Sequence, residues 1–189
     1  TTARDIAIMS AELIEKHPKI LTYSSIWMDT IRAGAFGLTN TNRLIRFYHG
    51  ANGLKTGSTS RAKFCISASA KRDGLQLIAV IMGSPTRDTR NQVAKDLLDF
   101  GFANYAYATY EAGTLDPIPV EGSLTDACPL QYDAFSAVLE KGDLPGVKQT
   151  LELPEKLTAP IALGQQVGTL TYTAADGTVL GTVPVCAAQ

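Results

Sequence analysis

The sequence predicts an α+β protein, with an antiparallel sheet and helices over residues 1–110 and a small all-β module over 111–189. Three features carry that reading. Apolar stripes at helical spacing flank the first part, at 3–16 and 87–100. Between them two β-type runs are joined by Asp73-Gly74, a hairpin turn signal. Beyond Tyr110, prolines and short β-type runs such as "PIPVEG" and "QQVGTLTYT" replace the helical spacing.

Along the chain, Ile6, Met9, Leu13 and Ile14 form one helical stripe, with Thr1 or Thr2 available as the N-cap. His17-Pro18 ends that helix, because a residue before proline avoids the helical region. Residues 20–37 mix aromatic and polar types without a period and read as irregular, with at most one short helix. "RLIRFYHG" (43–50) reads as a short strand, and Gly50 and Gly53 mark a loop after it.

"KFCISASA" (63–70) alternates Phe64, Ile66 and Ala68 with the small polar face Cys65, Ser67 and Ser69. Leu77–Met82 is continuously apolar, as in a strand covered on both faces. In the helix that follows, Val93, Leu97, Leu98 and Phe100 are the apolar positions and Gly101 is placed as its C-terminal cap. Asp176-Gly177 supplies a second hairpin turn, inside the all-β module.

Composition excludes several classes. Lys and Arg number 17 against 18 Asp and Glu, so no basic surface points to nucleic acid. No run approaches the ~20 apolar residues of a spanning helix. Cys65, Cys128 and Cys186 match no zinc or redox spacing, and His17 and His49 have no partner at metal spacing; no metal or cofactor is expected. The lysine of 53–58 precedes its glycine, which rules out a phosphate loop.

The segment "ANGLKTGSTS" (51–60) carries the chemistry. On a strand facing a cleft, the Lys55 ammonium can steer a carboxylate and bias proton transfer, and the Thr56 hydroxyl can bond the same carboxylate. Gly57 leaves room for a substrate backbone along the strand. The backbone N–H of Ser58 can serve in an oxyanion hole.

With its surroundings, "GANGLKTGSTSRAKFCISASAKRDGLQLIAVIMG" resembles the third-motif region of the low-molecular-mass, penicillin-binding serine D-Ala-D-Ala carboxypeptidases. "TTARDIAIMSAELI" is similar to the helix after that family's second motif, "LTNTNRLI" to its approach to the K-T-G strand, and "PLQYDAFSAV…LTAPIALGQQVGTL" to its β-rich stem. The resemblance implies a partial penicillin-binding or β-lactamase-like catalytic domain followed by a stem domain. Lys55 would line the cleft and tune the catalytic proton network, Thr56 would contact the terminal carboxylate of the peptide, Gly57 would belong to the same substrate-binding wall, and Ser58 N–H would face the oxyanion. Arg90, in "SPTRDTRNQVAKDLL", falls where the family has an arginine near that carboxylate; a solvated arginine at the helix start is the other reading. The implied partners are the D-Ala-D-Ala stem peptide of peptidoglycan and β-lactams, on the extracytoplasmic face of a bacterial membrane.

The reaction also needs S-x-x-K and an S-x-N-type motif. The literal S-x-x-K, Ser60-Arg61-Ala62-Lys63, runs straight into a β run, where i and i+3 point to opposite faces. No S-x-N occurs. The chain, which lacks an initiator methionine, therefore reads as the back half of the catalytic domain plus the stem. An N-terminal companion chain would carry the nucleophile, and a further C-terminal anchor would reach the membrane surface. The alternative is a non-catalytic peptidoglycan-peptide binder or scaffold.

Overall fold

The computed structural model describes residues 1–188 and divides the chain into two compact units between Asn104 and Tyr105. In the first, α1 (Ala3–Lys16) opens with a capping box: Thr2 accepts from the Asp5 N–H while Asp5 accepts from the Thr2 N–H. After α2 (Ile20–Ser24) comes a hairpin of β1 (Met28–Ile31) and β2 (Phe36–Thr39), then α3 (Leu44–Phe47). Strands β3 (Ala51–Thr59), β4 (Lys63–Arg72) and β5 (Leu75–Ser84) form an antiparallel sheet in that order, and α4 (Arg87–Asn104) closes the unit. The Asp73-Gly74 turn joins β4 to β5 with both residues at positive φ, which the twist of a two-residue hairpin requires.

The helices cover opposite faces of this sheet. On one, the Ser10 hydroxyl of α1 meets that of Ser67 at 2.7 Å, so the small polar face of β4 lets the helix approach closely. On the other, α4 buries Arg90, Ala94, Leu98 and Phe102, spaced four apart. Here the apolar reading of α4 is corrected: Val93, Leu97 and Phe100 are exposed, and of the four positions only Leu98 is buried. Gly101 lies inside α4 and is no cap. A Cβ there would stand 2.5 Å from Leu77 Cδ1, so glycine lets helix and strand close up.

Four more expectations change. Residues 43–50 hold a helical turn in place of a strand, because the Asn42 side chain accepts the Leu44 N–H at 3.1 Å and starts the turn. Gly53 lies within β3. The irregular stretch 20–37 contains α2 and most of the β1–β2 hairpin, whose turn uses positive φ at Arg32, Ala33 and Gly34. β5 is covered unequally on its two faces: Leu75, Ala79 and Ile81 are buried and Leu77 half-buried toward α4, while on the α1 face Ile78 and Val80 are half-buried and Met82 is exposed.

The second unit starts with β6 (Tyr105–Tyr110), which pairs along its length with β9 (Phe135–Glu140). Strands β7 (Gly113–Glu121), β8 (Ala127–Tyr132), β10 (Lys148–Glu152), β11 (Leu157–Thr158), β12 (Gln166–Thr173) and β13 (Val179–Ala187) make a sheet in the order β10-β12-β13-β8-β7-β11. Its core is Leu130, Leu170, Tyr172, Val183 and Val185. Tyr172 stacks on Phe135 with ring centroids 4.4 Å apart. As expected, Asp176-Gly177 turns β12 into β13.

Candidate active site

Strand β3 carries the Lys55-Thr56-Gly57 tripeptide along a groove of about 770 Å³. The groove is bounded by β3, by the start of α4, and by the segment from Trp27 and Thr39 to Phe47. Lys55, Thr56, Gly57, Ser58 and Arg90 all line it. Lys55 is exposed on the groove wall, with its Nζ donating to the Thr56 carbonyl at 2.5 Å. Thr56 is buried, and its hydroxyl shares a 2.6 Å hydrogen bond with Thr41. Gly57 and Ser58 are exposed, and a Cβ at Gly57 would meet nothing within 4 Å.

The opposite wall is held by a small asparagine network. Asn40 donates to the carbonyls of Ser24 and Ile26, and Asn42 donates to the Gly53 carbonyl at 3.0 Å. Those bonds pin the 40–42 segment to both α2 and β3, and so fix Thr41 against Thr56. Behind it Trp27 and Phe47 meet edge to face at 6.0 Å.

Arg90 is buried, 3% exposed, so it is not a solvated arginine at a helix start. Its guanidinium donates to Asn91 Oδ1 at 2.9 Å and to the Cys65 carbonyl at 3.3 Å. Burial, with Arg87 nearby, holds the guanidinium below its ordinary pKa. Ser60-Arg61-Ala62-Lys63 spans the β3–β4 turn, with the Ala62 N–H donating to Thr59 Oγ1 and Lys63 at positive φ; it has no helical geometry. Among the described residues no group of His, Cys, Asp and Glu could hold a metal.

Sequence reasoning missed Trp27, Thr41, Arg43, Phe47, Arg87 and Asn91 as groove residues. The alternating "TNTN" at 39–42 was the available signal, since asparagines bonding their own backbone mark a fixed loop.

Two family models match, D-alanyl-D-alanine carboxypeptidase over residues 1–86 and Penicillin-binding protein 5, C-terminal domain, over 131–189. Together the two matches support the C-terminal part of a low-molecular-mass D-alanyl-D-alanine carboxypeptidase. D-alanyl-D-alanine carboxypeptidase DacF of Bacillus subtilis is 36% identical over 100% of this chain and 50% of its own length. The chain thus spans about half the length of the curated relatives it matches.

Among solved structures, penicillin binding protein 5 from Haemophilus influenzae is 30% identical with a TM-score of 0.73, covering 100% of this chain and 56% of that one. Penicillin-Binding Protein D2 from Listeria monocytogenes, solved in a cefotaxime-bound form, is 33% identical with a TM-score of 0.51, covering 54% of this chain and 41% of that one. No helix among the described residues is long and apolar enough to cross a membrane.

Proposed function

We propose that this chain is the substrate-gripping wall of a serine D-Ala-D-Ala carboxypeptidase, which removes the terminal D-alanine of peptidoglycan stem peptides and is acylated by penicillins. The observation that carries the reading is the convergence of Lys55, Thr56 and buried Arg90 on one groove. In that role Thr56 and the cations hold the terminal carboxylate. A serine Oγ then attacks the penultimate carbonyl carbon. A C–O bond forms, the C–N bond breaks, and the departing D-alanine amine takes a proton; water later cleaves the ester. The Ser58 N–H faces the oxyanion of each tetrahedral intermediate, and the Lys55 ammonium biases the proton network.

The serine and its lysine lie on a companion segment of the same protein, N-terminal to this chain. Two features support a missing partner. Among the described residues β5 pairs only with β4, leaving an apolar strand edge. A second hollow of about 370 Å³ between α1 and the sheet is lined by Ile6, Met9, Leu13, Val80 and Met82 and also by Lys55. Side chains of the companion segment fill it, next to the lysine. The site works outside the cytoplasm, where peptidoglycan is, and a C-terminal anchor beyond this chain holds the protein at the membrane surface.

Labelled penicillin tests this in the full-length polypeptide. Covalent label on a serine N-terminal to this chain, together with hydrolysis of a D-Ala-D-Ala peptide by the unlabelled protein, is expected. Absence of both label and hydrolysis overturns it in favour of a non-catalytic peptide binder.

A further inference from the structure

The groove is unusually one-sided in charge. Arg43, Lys55, Arg87 and Arg90 line it, and no Asp or Glu does, although the whole chain carries a formal charge of -1. The ion pairs found among the described residues lie elsewhere, at Glu12–Lys16, Arg72–Asp99 and Glu121–Lys156. A single terminal carboxylate offsets one of four cations. Like charges gathered on the walls of a low-dielectric cleft repel each other and raise the local concentration of anions.

Arg43 stands apart from the others. It lines the groove and also a side hollow of about 250 Å³ that no residue of β3 lines. Phe47 and Asn91 border both spaces, and Lys95 and Asp88 line the side hollow. Asn91 Oδ1 already accepts from Arg90, which leaves its amide N–H groups as donors, and Asn91 lines the same two spaces as Arg43. Arg46, stacked over Trp27 and Phe47, adds positive charge behind that rim.

We infer that the groove takes a peptide with a second carboxylate, upstream of its C-terminal one, and that Arg43, beside the Asn91 amide, is the specificity-determining residue that receives it. This rests on the peptide reading above and adds to it the charge of the substrate. A guanidinium fork with an amide donor beside it matches a carboxylate in shape as well as charge, and a neutral amide in the same place forfeits the charge-assisted bond.

The test uses the full-length enzyme and peptides ending in D-Ala-D-Ala, paired as glutamate against glutamine at each upstream position. At one position the wild type prefers glutamate in kcat/KM by about tenfold, the scale of one charge-assisted hydrogen bond. That preference shrinks with added salt, collapses in Arg43→Gln, is partly kept in Arg43→Lys, and inverts in Arg43→Glu. Equal rates for every pair in the wild type, or a preference untouched by Arg43→Gln, overturns the inference and leaves the carboxypeptidase reading intact. No turnover of any peptide overturns both.

Discussion

The two units bury different things. Among the described residues, the seven buried polar or charged ones, Ser10, Asn42, Thr56, Ser67, Ser69, Ser84 and Arg90, lie in the first, 1–104. The second packs Leu130, Leu170, Val183, Val185 and the ring of Tyr172. A buried polar group costs stability unless it finds its partner in one geometry, so a core full of them fixes positions as well as compactness. The first unit's polar groups hold Thr56 and Arg90 beside the groove; the second unit's apolar core has no such task. Placement is bought in one unit, packing in the other.

The sharpest break in this contrast is Lys55→Ala. The residue is exposed and its Nζ bonds only the carbonyl of its neighbour Thr56 among the hydrogen bonds described above, so folding should be unchanged by circular dichroism, while penicillin acylation of the full-length protein falls by about 100-fold or more. Loss of fold with activity, or no loss of activity, would remove Lys55 from the chemistry. In the second unit the balance reverses: Leu130→Ala, at a fully buried position, should cost about 2–5 kcal/mol of that unit's stability in a denaturant titration. A loss under 1 kcal/mol, against that range, would mean the core there is not packed as described.

Smaller effects refine the comparison. Ser67→Ala strips the Ser10 hydroxyl of its buried partner and should cost about 1–3 kcal/mol, with Ser10→Ala added to it recovering part of the loss. Strict additivity of the two would deny the pair. Tyr172→Phe should be neutral or stabilising by up to about 1 kcal/mol, because the buried Tyr172 hydroxyl has no hydrogen-bond partner among the described residues while its ring stacking survives the change. A melting temperature clearly lowered by this substitution would point to an unseen bond.

How legible this was in sequence depended on the kind of interaction. The α1 helix with its Thr cap and the β4–β5 hairpin with Asp73-Gly74 were readable, because their causes are local, although of the predicted α1 stripe Ile6 and Ile14 are half-buried and Met9 and Leu13 are exposed. So was the tripeptide on β3, through its residue types and its resemblance. Residues 43–50 misled because Leu44, Ile45 and Phe47 suit a strand, and one side-chain bond from Asn42 decides the turn. The α4 face misled for a different reason: its stripe passes through Arg90, a residue normally assigned to solvent, whose burial depends on a carbonyl 25 residues away. Trp27 and Phe47 come together only once the Asn40–Asn42 bonds exist, and that is a tertiary fact.

The notch at Gly101 reaches further than its size suggests. Helix α4 is a rod of 18 residues, about 27 Å long, seated at one end by a missing methyl and carrying Arg90 near the other. A carbon atom added at the seat would land on the tip of the Leu77 side chain, and that tip would have to turn aside before the rod could keep its place. One missing methyl thus joins the packing of the last turn to the strand beneath it, on the same helix that carries the charge at its start.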